Sequence, residues 1–168
     1  MKILTINNKK DEKFLRRRVA DFDFSKFTKK EINNLIKEMR EAMFAAAGVG
    51  LAANQVGLDL RVFIAQLPKQ KKKLDRKFYA IFNPEIIKFS KEKTILEERC
   101  LSIHGYYGDV ERSNKITLVG QDKYGKKIKI KAWGLLARVF QHEVDHLNGI
   151  LFIDKAKNLK KIEQETKA

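Results

Sequence analysis

An α+β fold is predicted from three features of this sequence: a capped amphipathic helix near the amino end, a middle stretch of strand-forming segments, and a second long helix after them. The first helix lies in FTKKEINNLIKEMREAMFAAAG, where Thr28 and Glu31 stand at capping-box spacing. Ile32, Leu35, Ile36, Met39 and Met43 then recur at helical intervals, and Gly48 and Gly50 end the run. A shorter helix is expected over Asp11–Val19.

The strand segments are RVFIAQL (61–67), FYAIFNP (78–84), EIIKFS and KTILEE, rich in β-branched and aromatic residues with turn-like breaks between them. KITLVGQDKYGKKIKIKAW alternates on both sides of Asp122–Gly125, the pattern of a hairpin. In GLLARVFQHEVDHLNG, Leu136, Phe140, Val144 and Leu147 form one helical row, and Leu135, Val139, His142 and His146 an adjacent one. Asn148-Gly149 supplies the residues that end helices in a left-handed turn. The expected architecture is therefore antiparallel strands packed around this second helix as the central one, with an amino-terminal helix and a basic carboxy-terminal tail, about 156–168, read as helical.

With 168 residues, the chain has the length of one domain, and residues 1–168 are read as a single unit. The lone Cys100 forms no internal disulfide, and MKILTINNKK carries no apolar run of the signal-peptide kind. A cytoplasmic protein with no membrane segment is expected. A net charge of +15, from 36 basic and 21 acidic residues, either draws the chain toward polyanions such as ribosomal RNA or solvates an ordinary surface. The densest basic run, Pro68 to Lys77, lacks interleaved aromatics and reads as a solvated loop.

The chemistry is concentrated in QHEVDH, which holds two of the three histidines. Four residues apart on a helix, His142 and His146 share a face, and two imidazoles so placed can converge on one ion. Glu143 sits roughly 100° further round, where a general base for an activated water belongs. The longer HExxH-xx-G-xx-H pattern keeps Gly149 but fails at Phe152. That leaves the third protein ligand among the carboxylates Asp154, Glu163 and Glu165, His104, and Cys100 of EERCLS; a thiolate favours iron or zinc.

Three segments in order, GVGLAANQ (48–55), ERCLS (98–102) and QHEVDH (141–146), resemble the peptide deformylase family, and the similarity extends from about residue 35 to 155. The resemblance implies one divalent ion on Cys100, His142 and His146, iron(II) first and zinc, nickel or cobalt(II) as alternatives, with water as its fourth ligand. It implies Glu143 as the base, and the Gln55 side chain with the Leu101 backbone N–H as donors to the oxyanion. The substrate would be the N-formylmethionyl end of a nascent peptide, paired along the main chain near Val49 and Gly50. Its methionine pocket would be lined by Val49, Leu96, Leu135 and Val139, four residues that otherwise read as plain core. Arg112 would pair with Asp145, and a monomer is expected, with the basic surface and tail available for ribosome association. The sequence departs from the family at Arg99, where glycine is usual, at His104, where proline is frequent, and in an amino-terminal segment that keeps only LRRRVADFD. Two other readings follow from parts of the pattern: a metallopeptidase sharing only HExxH, and a non-catalytic RNA-binding module with a structural metal.

Overall fold

The computed structural model describes residues 1–68 and 77–162. It is a mixed α+β architecture: three α-helices and two antiparallel sheets. Helix α1 (Lys9–Leu15) is capped by Asn8 and ends four residues before the expected Val19. Helix α2 (Lys29–Ala45) starts at the expected box, with Thr28 accepting from Glu31 N and the Glu31 carboxylate accepting from Thr28 N. It stops short of the glycines, because Ala47 itself takes the left-handed turn, at φ 54°. Helix α3 (Gly134–Leu147) follows the expected boundaries.

The larger sheet has the order β1 (Gly50–Ala52), β2 (Val62–Gln66), β3 (Phe78–Phe89), β6 (Lys115–Gln121), β7 (Lys127–Trp133). The smaller has β4 (Lys93–Cys100), β5 (Ile103–Ser113), β8 (Lys157–Lys161). FYAIFNP and EIIKFS are one strand rather than two. Asn83, at φ 48°, and Pro84 put a bulge between Phe82 and Glu85 instead of a break. The tail over Lys157–Lys161 is a strand paired with β5, not the expected helix, since the open edge of β5 satisfies its backbone. The basic run at 68–77 falls almost wholly outside the described residues. Among the described residues no helix is long and apolar enough to cross a membrane.

The larger sheet packs apolar side chains from both faces, β1 to β3 against a helix on each side and β6 and β7 on the α3 side only. On one face, Phe63, Ala65, Ile81, Ile116 and Leu118 pack against Ala137, Phe140 and Val144 of α3. Phe140 lies edge-on to Phe63 at 5.3 Å and to Tyr79 at 5.1 Å. On the other face, Ile64 and Phe82 meet Ile32, Met39 and Met43 of α2, with Phe22 joining Phe82 edge-on at 4.7 Å. Each fully buried side chain of this size contributes about 1.5–3 kcal/mol. The smaller sheet closes over the other flank of α3, where Arg138 donates to Val110 O at 2.9 Å and Thr94 O at 2.6 Å.

The end of α3 docks on the amino-terminal segment. Val19 N donates to Leu147 O at 3.1 Å, and Gly149 follows at φ 75°. A Cβ at residue 149 would stand 2.6 Å from the Arg16 carbonyl carbon, inside contact distance of a backbone that cannot step aside. Gly149→Ala therefore adds a backbone clash to left-handed strain of about 1–2 kcal/mol. It is expected to lower unfolding stability by roughly 2 kcal/mol or more, read as a shifted urea midpoint at unchanged slope.

Candidate metal centre

Strand β4 ends on Cys100, and α3 carries His142 and His146 across from it. Cys100 Sγ is 3.1 Å from His146 Nε2, which is 3.2 Å from His142 Nε2, and the three donor atoms lie within 4.8 Å of one another. Cys100 and His146 are buried, while the His142 side chain keeps 13% of its surface exposed. The other candidate ligands stand apart. His104 is exposed on β5. Asp154 binds Arg16 and caps Leu151 N, and Glu163 and Glu165 lie outside the described residues. Phe152 is buried with its ring stacked 6.5 Å from His142, a wall and not a ligand.

This donor set fits a divalent ion. Ligands sharing a tetrahedral ion at bonds of about 2.0–2.3 Å lie roughly 3.3–3.8 Å apart, close to the spacing here. His142 Nδ1 lies 3.0 Å from Glu98 Oε2. With the carboxylate accepting there, the Nδ1–H tautomer is set and Nε2 turns its lone pair toward the other donors. Burial opposes a charge on His142, yet the Cys100 sulfur and Glu98 outweigh it and raise its pKa to about 10. Burial, helped by the neighbouring His142, holds His146 well below the ordinary imidazole value. A thiolate with two imidazoles is the donor chemistry of iron and zinc sites.

Glu98 is the hub beneath them. It accepts from Arg112 Nε at 2.6 Å and Nη2 at 2.8 Å, and from Arg138 Nη1 at 2.7 Å. Burial pushes its carboxyl up, but the hydrogen bonds from Arg112 and His142 prevail and hold it far below the usual carboxylate range. Arg112 Nη1 also reaches Asp145 Oδ2 at 2.7 Å, the pair expected from the sequence, and Lys155 Nζ joins Asp145 at 2.7 Å. Sequence reasoning gave Glu98 and Arg138 no role. The signal was present in Arg138 itself, a charge set between the apolar rows of a helix and therefore in need of a buried partner.

Glu143 is 3% exposed, its Oε2 has no hydrogen-bond partner among the described residues, and burial raises its pKa to about 7. It lies against β1 at Gly50. A Cβ at Gly50 would fall 2.8 Å from Glu143 Cδ, so this glycine leaves the space that the carboxylate fills. Gln55, in a 3-10 turn over Ala53–Val56, accepts from Ala52 N at 2.9 Å and points Nε2 at Ser102 Oγ, 3.1 Å away, and at Cys100 Sγ, 3.6 Å away. Leu101 follows Cys100 at the turn between β4 and β5, half-buried. Asn54 Nδ2 holds the His146 carbonyl at 2.6 Å.

The apolar residues expected around a substrate divide. Val139 is buried, one helical turn beyond Leu135 on α3. Val49, Leu96 and Leu135 are 37%, 51% and 45% exposed, contrary to the alternative reading of them as core. Arg99 is exposed and turns away from the cluster, to Glu97 Oε1 at 3.1 Å and over the Tyr107 ring at 5.4 Å. Its φ is not positive, so β4 accommodates a side chain where the family has glycine.

A Cys, His, His cluster of this geometry, with an acid between the histidines, invites comparison with known proteins. The family model for polypeptide deformylase matches residues 1–162. A peptide deformylase of Halothermothrix orenii is 47% identical over 131 residues, 78% of this chain and 80% of that one. The crystal structure of a probable peptide deformylase from Synechococcus phage S-SSM7 superposes with a TM-score of 0.81 at 40% identity, covering 92% of this chain and 99% of that one. A Met-Ala-Ser-bound class I type b peptide deformylase from Acinetobacter baumannii gives 0.83 at 30% identity, covering 92% and 97%. Matched along nearly its whole length by sequence and by fold, this chain belongs to the peptide deformylase family, metal-dependent hydrolases that act on formylated nascent peptides.

Proposed function

We propose that this chain removes the formyl group from the amino-terminal methionine of nascent polypeptides, releasing formate and a free amino terminus. The observation that carries the reading is the convergence of Cys100 Sγ with the ring nitrogens of His142 and His146, beside the buried carboxylate of Glu143. Cys100, His142 and His146 hold one divalent ion, Fe2+ in the first instance, with Zn2+, Ni2+ or Co2+ accepted by the same donors, and α3 is the central metal-binding helix. When bound, the ion supplies Lewis acidity toward water and toward the formyl carbonyl. The enzyme is one catalytic domain over 1–168, acts as a monomer in the cytoplasm where its substrate is made, and associates with the ribosome through its basic surface and tail.

The remaining steps belong to the chain's own groups. Glu143 takes a proton from the attacking water and passes it to the departing amine, a task suited to a buried carboxyl raised to about 7. Gln55 Nε2 and the Leu101 N–H donate to the oxyanion. Such aimed donors are typically worth about 3–4 kcal/mol in a dry site. Gly50 lies on β1, which pairs with β2 on one side only, so its other edge suits main-chain pairing with an extended peptide. The exposed Val49, Leu96 and Leu135, with Val139 behind them, form the methionine pocket; apolar side chains held in water and not in the core are surface available to a ligand.

Glu143→Gln is expected to lower formate release from a formyl-Met peptide by at least ~10²-fold while elemental analysis finds the metal retained. A variant with substantial turnover would remove the base assignment. In the wild type kcat/KM should fall with acidification along a limb of unit slope. Its midpoint should lie no higher than about 7, because the base works deprotonated and a nearby cation favours the carboxylate. Cys100→Ala, prepared without oxygen, should lose metal and activity together. Full metal in that variant would point instead to a metallopeptidase with other ligands.

Arg112→Ala should destabilise the fold by about 3–5 kcal/mol, since it leaves Glu98 and Asp145 as buried charges short of a partner. The depressed pKa of Glu98 contributes stability that is fully present above its unfolded value, about 4.3, and is lost as pH falls toward the much lower folded value. Urea midpoints should therefore decline below about pH 4.5 in the wild type, and more shallowly in Arg112→Ala.

A further inference from the structure

The outer face of the β6–β7 hairpin is unlike the rest of the larger sheet. Inward-facing Ile116, Leu118 and Ala132 belong to the α3 core, with Ile128 and Ile130 packed on it. On the opposite face α2 covers residues of β1, β2 and β3, and no residue of β6 or β7 joins that second core. Edge strand β7 there presents Lys127, Lys129 and Lys131 in a row, all exposed, and ends the row on Trp133, 66% exposed. Lys115 stands in register with Trp133 on β6, and Tyr124, 70% exposed, marks the hairpin tip. None of Lys115, Lys127, Lys129 and Lys131 forms an ion pair with a described acidic residue. The acid in register with this stripe, Glu85 opposite Val119, lies on β3, two strands from the lysine row.

We infer that this face is a binding platform for the sugar-phosphate backbone of single-stranded RNA, with Lys127, Lys129 and Lys131 on phosphates and Trp133 stacked on a base. Alternate residues of a strand are roughly 6.6–6.8 Å apart, so the three ammonium groups make an evenly spaced line able to track a flexible single-strand backbone. The row spans roughly 20 Å, and an aromatic at its end is the second element that single-strand platforms combine with charge. The exposed aromatics stand only at the two ends of the row, Tyr124 and Trp133, and Thr117 and Val119 between them are not exposed, so the face lacks the continuous apolar side of an interfacial membrane element. The inference sharpens the ribosome association proposed above, resting on that reading of the net charge, and places it on the hairpin instead of the tail.

Trp133 is the chain's one tryptophan, so its emission reports the platform directly. The full-length protein is titrated with a 12-nucleotide uridine RNA between 50 and 200 mM salt. Quenching of Trp133 is expected, with affinity falling roughly 20- to 60-fold across that range, a log–log slope of about −2 to −3 for three or four phosphates. The variant carrying Lys127→Gln, Lys129→Gln and Lys131→Gln should bind at least tenfold more weakly with the slope reduced by about 2, and release formate from a short formyl-Met peptide at the wild-type rate. A charge-matched variant on β8, Lys157→Gln, Lys160→Gln and Lys161→Gln, should keep RNA affinity. If the β8 variant loses binding and the β7 variant does not, RNA association survives and the platform falls. If wild-type protein binds no RNA, both fall. Blue-shifted emission on phosphatidylserine vesicles without any response to RNA would overturn the inference in favour of a membrane surface.

Discussion

One buried carboxylate carries the arrangement. Glu98, near the end of β4, is shared by Arg112 from β5 and by Arg138 and His142 from α3, so two strands of the smaller sheet and the histidine helix are bound at a single point. Removing charges of this kind from water costs several kcal/mol per ion, and a packed apolar replacement is often as stable. What the cluster supplies is position. Four N–H donors on two oxygens leave Glu98 no second orientation, and the orientation fixes the His142 ring, whose Nε2 must face Cys100 and His146. Arg112 extends the constraint to Asp145 and Lys155, tying the far end of α3 to the same anchor.

The unpartnered atoms fall where that anchor has made rigidity available. Asn54 Oδ1, Glu143 Oε2 and His146 Nδ1 are buried without a hydrogen-bond partner among the described residues. Each belongs to α3 or to the turn that holds its carbonyl. A buried polar atom left unpaired costs about 1–3 kcal/mol. A fold tolerates that where the surrounding contacts over-determine the position, and for Glu143 the same dry setting is what raises the carboxyl into the range of a useful base. Under the proposed mechanism, stability is given up here for a proton acceptor.

Features with a local or periodic signature were readable in the sequence. The Thr28–Glu31 box, the apolar rows of α3, the β6–β7 hairpin and the convergence of His142 with His146 all follow from spacing along one element. Cys100 needed the family resemblance, because a lone cysteine carries no spacing. Long-range partners left no such trace. Glu98 reads as one more acid in EERCLS until β5 and α3 bring Arg112 and Arg138 to it. Strand β5 hid behind Gly105 and Gly108, which break the strand pattern, and β8 read as helix because its pairing edge lies some fifty residues back. Gly50 read as a helix stop and as part of a main-chain pairing segment, and the fold adds that it clears the place of Glu143.

Charge and apolar surface show the same limit of one-dimensional reading. The densest lysine run in the sequence is one cluster; the ordered row on β7 is spread over alternate positions, and only the pleat gathers it to one face. Conversely, Val49, Leu96 and Leu135 read as core because nothing in composition separates an exposed apolar side chain from an interior one, yet the fold leaves all three partly in water. The two surfaces adjoin at the start of α3, where Trp133 closes the lysine row and Leu135 begins the apolar group. On the two proposals made above, charge and apolar lining would meet where β7 runs directly into the helix that bears the histidines.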